Sequence, residues 1–298
     1  MRIEPVIASV HQAPGDPGPP GPAGSLSADE AAILAEFAKT PRKERFARVA
    51  RAIAPAIGVV VFLAFWQVST QLFDIQKFVL PRPSDILSGI KDDPGFYIRN
   101  ARVTLWEAFL GFAIAFVLAI IGATLMAHSR FIERAVTPLA VLIQVTPIIA
   151  YAPAVVIWLK FGIKPILVLT SLVCFVPFLI NGVTGLRSVD PNLLELARSV
   201  NASKREVFWK LRLPSALPHL FAAARIAVGL ALIGAVLGEF FAGVSSGLGY
   251  SVKYAQSHFL TLQLWGSIYV LALVGSVAIL LINGLEKLTL HWHSSQRH

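Results

Sequence analysis

Charged side chains are scarce in this chain. Asp, Glu, Lys and Arg make up 14% of its 298 residues, while hydrophobic residues make up 55%. A soluble domain carries about 25% charged residues to cover its surface. The composition therefore argues against a water-soluble enzyme and points to an integral membrane protein. Cysteine is nearly absent. Cys174 stands alone inside an apolar run, which rules out an internal disulfide and leaves a small packing residue. The phosphate-loop pattern G-x-x-x-x-G-K-[ST] is missing, and the dipeptide Gly-Lys occurs nowhere. No cofactor is expected on this chain. No metal is expected either, because His291, His293 and His298 read as a solvated tail. A secretory leader is not expected, since "MRIEPVIASV" places Glu4 and Pro5 where a leader needs an apolar core.

Long apolar runs are what the chain has in abundance. Six segments, at about 52–70, 104–127, 135–159, 165–186, 222–245 and 264–285, can each cross ~30 Å of hydrocarbon at ~1.5 Å per residue. The expected fold is all-α: a polytopic membrane protein of six transmembrane helices, with a cytoplasmic helical hairpin between spans four and five. Its transmembrane domain covers 52–290 and holds the hairpin within the loop 187–219. Before it come a Pro/Gly-rich segment, 1–28, too poor in apolar surface to fold, and a basic amphipathic segment, 29–51. The second contains Arg42, Lys43, Arg45, Arg48 and Arg51, which suits anionic headgroups. Residues 291–298 form a tail. The net charge of +9 fits sidedness better than nucleic acid. With the N-terminus in the cytoplasm, 18 of the 26 Lys and Arg residues fall on that side. Both termini and the 187–219 loop are therefore expected there.

The loop has a legible design. In "NLLELARSVNASKREVFWKLRLPSALP", residues 192–218, Leu193, Leu194, Ala197 and Val200 follow a plausible cap at Asp190 and a helix-starting Pro191. Asn201 is the expected stop, because asparagine tolerates the left-handed backbone. Ser203, with Glu206 three residues on, forms a capping box for a second helix. Pro214 and Pro218 are expected to end that helix. Such a stiff element between two spans can transmit displacement. The alternative is a basic hairpin lying on the headgroups.

Glu195-Leu196-Ala197, then Asn201 six residues after the glutamate, then Leu211-Arg212-Leu213-Pro214, share the spacing of a known loop. That loop reads Glu-Ala-Ala, three residues, Gly, nine residues, Ile-x-Leu-Pro. This chain departs from it at Leu196, Asn201 and Leu211. It resembles the "EAA" loop of permease subunits of bacterial ABC-type importers. "FVLPRPSDIL", "PIIAYAPAVVIWLKFGI" and "AVLGEF" are similar to the nitrate, sulfonate, taurine and pyrimidine-precursor branch, over about residues 50–290. The resemblance implies a bacterial inner-membrane permease that forms the path for a small solute with a second permease copy. It implies cytoplasmic ATP-binding subunits that carry ATP and magnesium, and a periplasmic substrate-binding protein. It assigns ATPase coupling to Glu195, Ala197, Asn201, Ala202, Ser203, Leu211, Leu213 and Pro214. An acid at Glu107 resembles pyrimidine-precursor importers, where the sulfonate branch tends to have arginine.

Polar residues inside spans are the candidates for lining the path. They are Gln144, Thr146 and Tyr151 around the prolines of span three, Asn181 beyond Pro177, and Glu239 in span five. For the first four, helix packing is the competing role. For Glu239 it is a structural acid bonded to a neighbouring helix. Glycines 229, 234, 238 and 243 are expected to let helices approach closely. Two other classes compete. "GVSSG" at 243–247 fits the serine nucleophile pattern of an intramembrane protease, which also requires a nearby histidine that span six lacks. An ion-coupled secondary transporter would show internal repeats, and none is clear.

Overall fold

The computed structural model describes residues 53–54 and 56–290. The segments 1–28, 29–51 and 291–298 singled out above lie outside the described residues. The chain divides into two units, Met1–Ala64 and Phe65–His298. The packing below concerns the second.

Apolar length builds the framework. Helices α3 (Pro94–His128), α6 (Ile163–Arg187), α9 (Leu213–Phe241) and α11 (Thr261–Thr289) are long and apolar enough to cross a bilayer. Shorter helices accompany them: α1 (Ala56–Leu72), α2 (Pro83–Asp92), α4 (Arg130–Val145), α5 (Ile148–Leu159), α7 (Pro191–Ser199), α8 (Lys204–Val207) and α10 (Leu248–Ser257). No strand occurs among the described residues. Most side chains on the outer faces of the spans are exposed leucine, isoleucine, valine and phenylalanine, as a lipid-facing surface requires.

Helices α3, α6 and α9 form the centre. In lipid there is no hydrophobic drive between helices, so close packing of small residues must hold them together. Ala115, Ala119 and Ala123 form a fully buried stripe on α3, and Ala227 and Ala235 do the same on α9. Gly111 faces Thr170 and Gly182 faces Ala123, so α3 and α6 run parallel. Gly185 meets Ala216, and Gly238 meets Ile166, so α9 runs antiparallel to α6. Phe178 fills the remaining space, edge-on to Phe112 and Phe116 at centroid distances of 5.0 and 5.3 Å. Cys174 is a fully buried packing residue whose thiol donates to the Ala227 carbonyl at 3.3 Å. Helix α11 joins the side of α9 through an Arg225–Glu286 ion pair. It joins α1 through Trp66, whose ring lies 5.0 Å from Trp265.

The third expected span is not one straight helix. Its residues are split between α4 and α5, which meet at 103°. The break falls at Thr146-Pro147, where Pro147 lacks an amide and its ring holds Thr146 in an extended conformation, φ −76° and ψ 123°. The bent pair still connects opposite ends of the bundle. At one end Arg187 donates to Glu133 and to the Met126 carbonyl, at 2.7 and 2.8 Å. At the other, the Gly162 amide donates to Ala242 beyond α9 at 2.9 Å. Parallel α3 and α6 demand such a return crossing.

Candidate functional site

The loop between α6 and α9 folds into a capped hairpin. The Asp190 carboxylate accepts from the Asn192 amide at 2.8 Å and starts α7. Asn201 takes the left-handed conformation at φ 52°, and the Ala202 amide closes the turn on the Ala197 carbonyl at 2.9 Å. The Ser203 hydroxyl accepts from the Glu206 amide at 3.2 Å, while the Glu206 carboxylate accepts from the Ser203 amide at 3.0 Å. Lys210 then pairs with Glu206 at 3.3 Å.

Pro214 and Pro218 do not end the second helix, contrary to expectation. Helix α8 passes through a π-helical turn, Phe208–Arg212, directly into α9. The Leu213 amide reaches back five residues to Phe208, and this wider register takes Pro214 into the first turn of α9, where an amide is not needed. Lys204–Phe241 is therefore one 38-residue rod, about 57 Å long.

The residues assigned to coupling gather on this element. Glu195, Asn201 and Ser203 are exposed, Ala197 is buried, and Ala202, Leu211, Leu213 and Pro214 are half-buried. Leu193, Leu196, Ala197, Val200 and Leu211 are among the residues around an outward-facing, largely apolar hollow of about 350 Å³. Leu196 and Val200 remain 60% and 69% exposed there.

The far end of the rod carries a second construction that sequence spacing does not reveal. Helix α10 begins with four amides that lack partners in their own helix. The Gly247 amide donates to Asn100 Oδ1 at 2.8 Å, and the Leu248 amide to Thr104 Oγ1 at 2.7 Å. The amides of Gly249 and Tyr250 donate to Glu239, the latter at 3.0 Å. Thr104 donates its own proton to Glu239 Oε1 at 2.6 Å. Glu239 is 1% exposed, and the buried Glu107 is its acidic neighbour. Glu239 thus joins α3, α9 and α10. Of the two roles weighed for it, its hydrogen bonds within the chain are those of an acid that joins neighbouring helices.

The other candidates do not converge on one another by hydrogen bonds. Gln144 is exposed beside the α4–α5 break. Thr146 and Asn181 spend their polar groups on carbonyls of their own helices, Leu142 at 2.9 Å and Pro177 at 2.8 Å. Tyr151 packs against the buried cluster of Ala152, Val155 and Leu169. Among the described residues no histidine bonds Ser245 or Ser246, and His258 Nδ1 contacts the Tyr254 carbonyl at 2.9 Å. Gly247 has its own explanation. It sits at φ 112°, and a Cβ there would fall on the Glu239 carboxylate.

The chain is thus a bundle of lipid-facing helices with an exposed apolar hollow at one end and a buried hydrogen-bonded cluster at the other. Residues 111–289 match the family described as "Binding-protein-dependent transport system inner membrane component", and the chain belongs to that family. It is 33% identical to the formylaminopyrimidine transport permease protein ThiX of Halalkalibacterium halodurans, over 83% of this chain and 98% of that one. It is 32% identical to the riboflavin transport system permease protein RibX of Chloroflexus aurantiacus, over 81% and 92%. Its fold is similar to a chain of the inward-facing MetNI methionine ABC transporter, with a TM-score of 0.54 over 62% of this chain and 92% of that one, at 17% identity. The chain is a translocation subunit of an ABC importer.

Proposed function

We propose that the α7–α8 hairpin receives force from a cytoplasmic ATP-binding subunit and that the Lys204–Phe241 rod carries it across the membrane. The observation that carries this reading is continuity. No loop separates the hairpin's second helix from α9, so a displacement at Ser203 moves the rod as one body. The clamp around Glu239 then ties the far end to α3 and α10. The exposed apolar hollow of the hairpin is the docking surface for the ATPase. The hairpin end is the cytoplasmic one, which agrees with its excess of lysine and arginine. A second copy of the chain completes the path, a periplasmic binding protein delivers the solute, and ATP with magnesium stays on the partner.

The test is association. Glu195→Arg and Val200→Asp, made separately, are expected to weaken co-purification of the ATPase by more than about tenfold. Membrane insertion and thermal midpoint should stay at the parental values. Full association in both variants would remove the hairpin from the coupling role.

We further propose a nitrogen heterocycle as solute. The support is the naming of the two relatives for formylaminopyrimidine and riboflavin. Glu107 adds nothing to it, because its side chain is buried inside the chain beside Glu239. Cells expressing the chain with its ATPase and binding protein should accumulate labelled formylaminopyrimidine and not taurine. Preferential taurine uptake would reverse this assignment and leave the coupling reading intact.

A further inference from the structure

A second hollow, also about 350 Å³, lies between the hairpin and the end of α3. It differs from the docking hollow in its chemistry. Arg198 from α7, Lys204 from α8 and Arg212 from the π turn all face it, with His128 from α3. Two carboxylates at this end of the bundle are already engaged. Glu206 is held by Ser203 and Lys210, and Glu133 by Arg187. Among the described residues no ion pair involves Arg198, Lys204 or Arg212.

Sidedness alone does not account for this arrangement. A topology signal needs lysine and arginine on one side, and it is met equally by scattered charges that repel one another less. Three cations brought from separate turns onto one concave surface call for an anion. Two of them are arginines, whose planar donor forks match the oxygens of a phosphate. The hollow lies where α3 and α6 end, at His128 and Arg187, which is the depth of headgroup phosphates. We infer that this cleft binds a phosphate group, supplied by the headgroup of an anionic phospholipid. A lipid held there sits against the hairpin, next to the docking hollow, with which the cleft shares Ala202 and Val207. The inference goes beyond the coupling proposal, and its test involves no ATPase.

The full chain, purified in mild detergent, is titrated with short-chain phosphatidylglycerol, with phosphatidylcholine of the same length, and with inorganic phosphate. Binding is read by native mass spectrometry and by thermal shift. The wild type should prefer phosphatidylglycerol. Arg198→Gln/Arg212→Gln and, separately, Lys204→Gln should bind it about tenfold more weakly. Arg130→Gln/Arg134→Gln, which removes cations at the same end outside the cleft, should bind within about twofold of wild type. A response to inorganic phosphate that the cleft variants lose, with none to the lipid, keeps the phosphate site and assigns it a soluble ligand. Equal behaviour of wild type, cleft variants and control toward all three probes, including no binding at all, overturns the inference.

Discussion

Glu239→Ala is expected to release α10 from the bundle and to cost about 3–5 kcal/mol of stability. The substitution removes the acceptor for the Gly249 and Tyr250 amides and for the Thr104 hydroxyl. Each buried donor left without a partner costs roughly 1–3 kcal/mol. The effect should appear as a lower thermal midpoint in detergent and as faster tryptic cleavage at Lys253. Glu239→Gln keeps one carbonyl oxygen and should fall between wild type and alanine. Glu107→Gln should be the milder change, because the α10 amides donate to Asn100, Thr104 and Glu239 and not to Glu107. Should Glu239→Ala melt like the wild type while uptake collapses, the acid belongs to the path after all and the clamp has no structural weight.

Gly234→Ala and Gly238→Ala are expected to destabilise the bundle by about 1–3 kcal/mol each, and together to prevent recovery of a monodisperse protein. A Cβ at these positions would stand 2.6 Å from the Thr170 Cα and 2.8 Å from the Ile166 Cα. Both are backbone atoms, so relief requires α6 and α9 to move apart along their length. Gly229→Ala and Gly284→Ala meet nothing within 4 Å and sit on the same kinds of helix. There the better helix propensity of alanine should leave stability unchanged or raise it by up to ~1 kcal/mol. Thermal midpoints of the four single variants provide the comparison. Equal effects at all four positions would mean that the α6–α9 contact is not what holds the core.

These glycines show where reading along the chain reaches its limit. Positions 229, 234, 238 and 243 look alike in sequence, and all four were candidates for close helix contact. Only 234 and 238 meet a facing helix backbone. Gly229 faces open space, and Gly243 makes a turn at φ 65° against Phe161. Spacing says that a helix has a small-residue stripe. It does not say which part of the stripe meets a neighbour. Pro214 makes the same point for the backbone. A proline normally stops a helix, but the π turn Phe208–Arg212 just upstream absorbed it. Pro147 behaved locally, and its break in span three followed from the missing amide. The size of the bend, 103°, is a tertiary feature that the missing amide alone does not set.

Reading the chain in one dimension was enough for its membrane character, most of its apolar spans and the capped hairpin at Asp190, Asn201 and Ser203. Each of these rests on interactions within a few residues, namely hydrophobic run length, cap hydrogen bonds and left-handed tolerance. The roles of Glu239, Asn100 and Thr104 emerged only in three dimensions. Their partners lie in another helix, more than a hundred residues away for the contacts between α3 and α10, and no local spacing encodes which amides they meet. The continuity of the rod and the convergence of Arg198, Lys204 and Arg212 are likewise products of packing, because charge and helix length are properties of residues while concavity belongs to the fold.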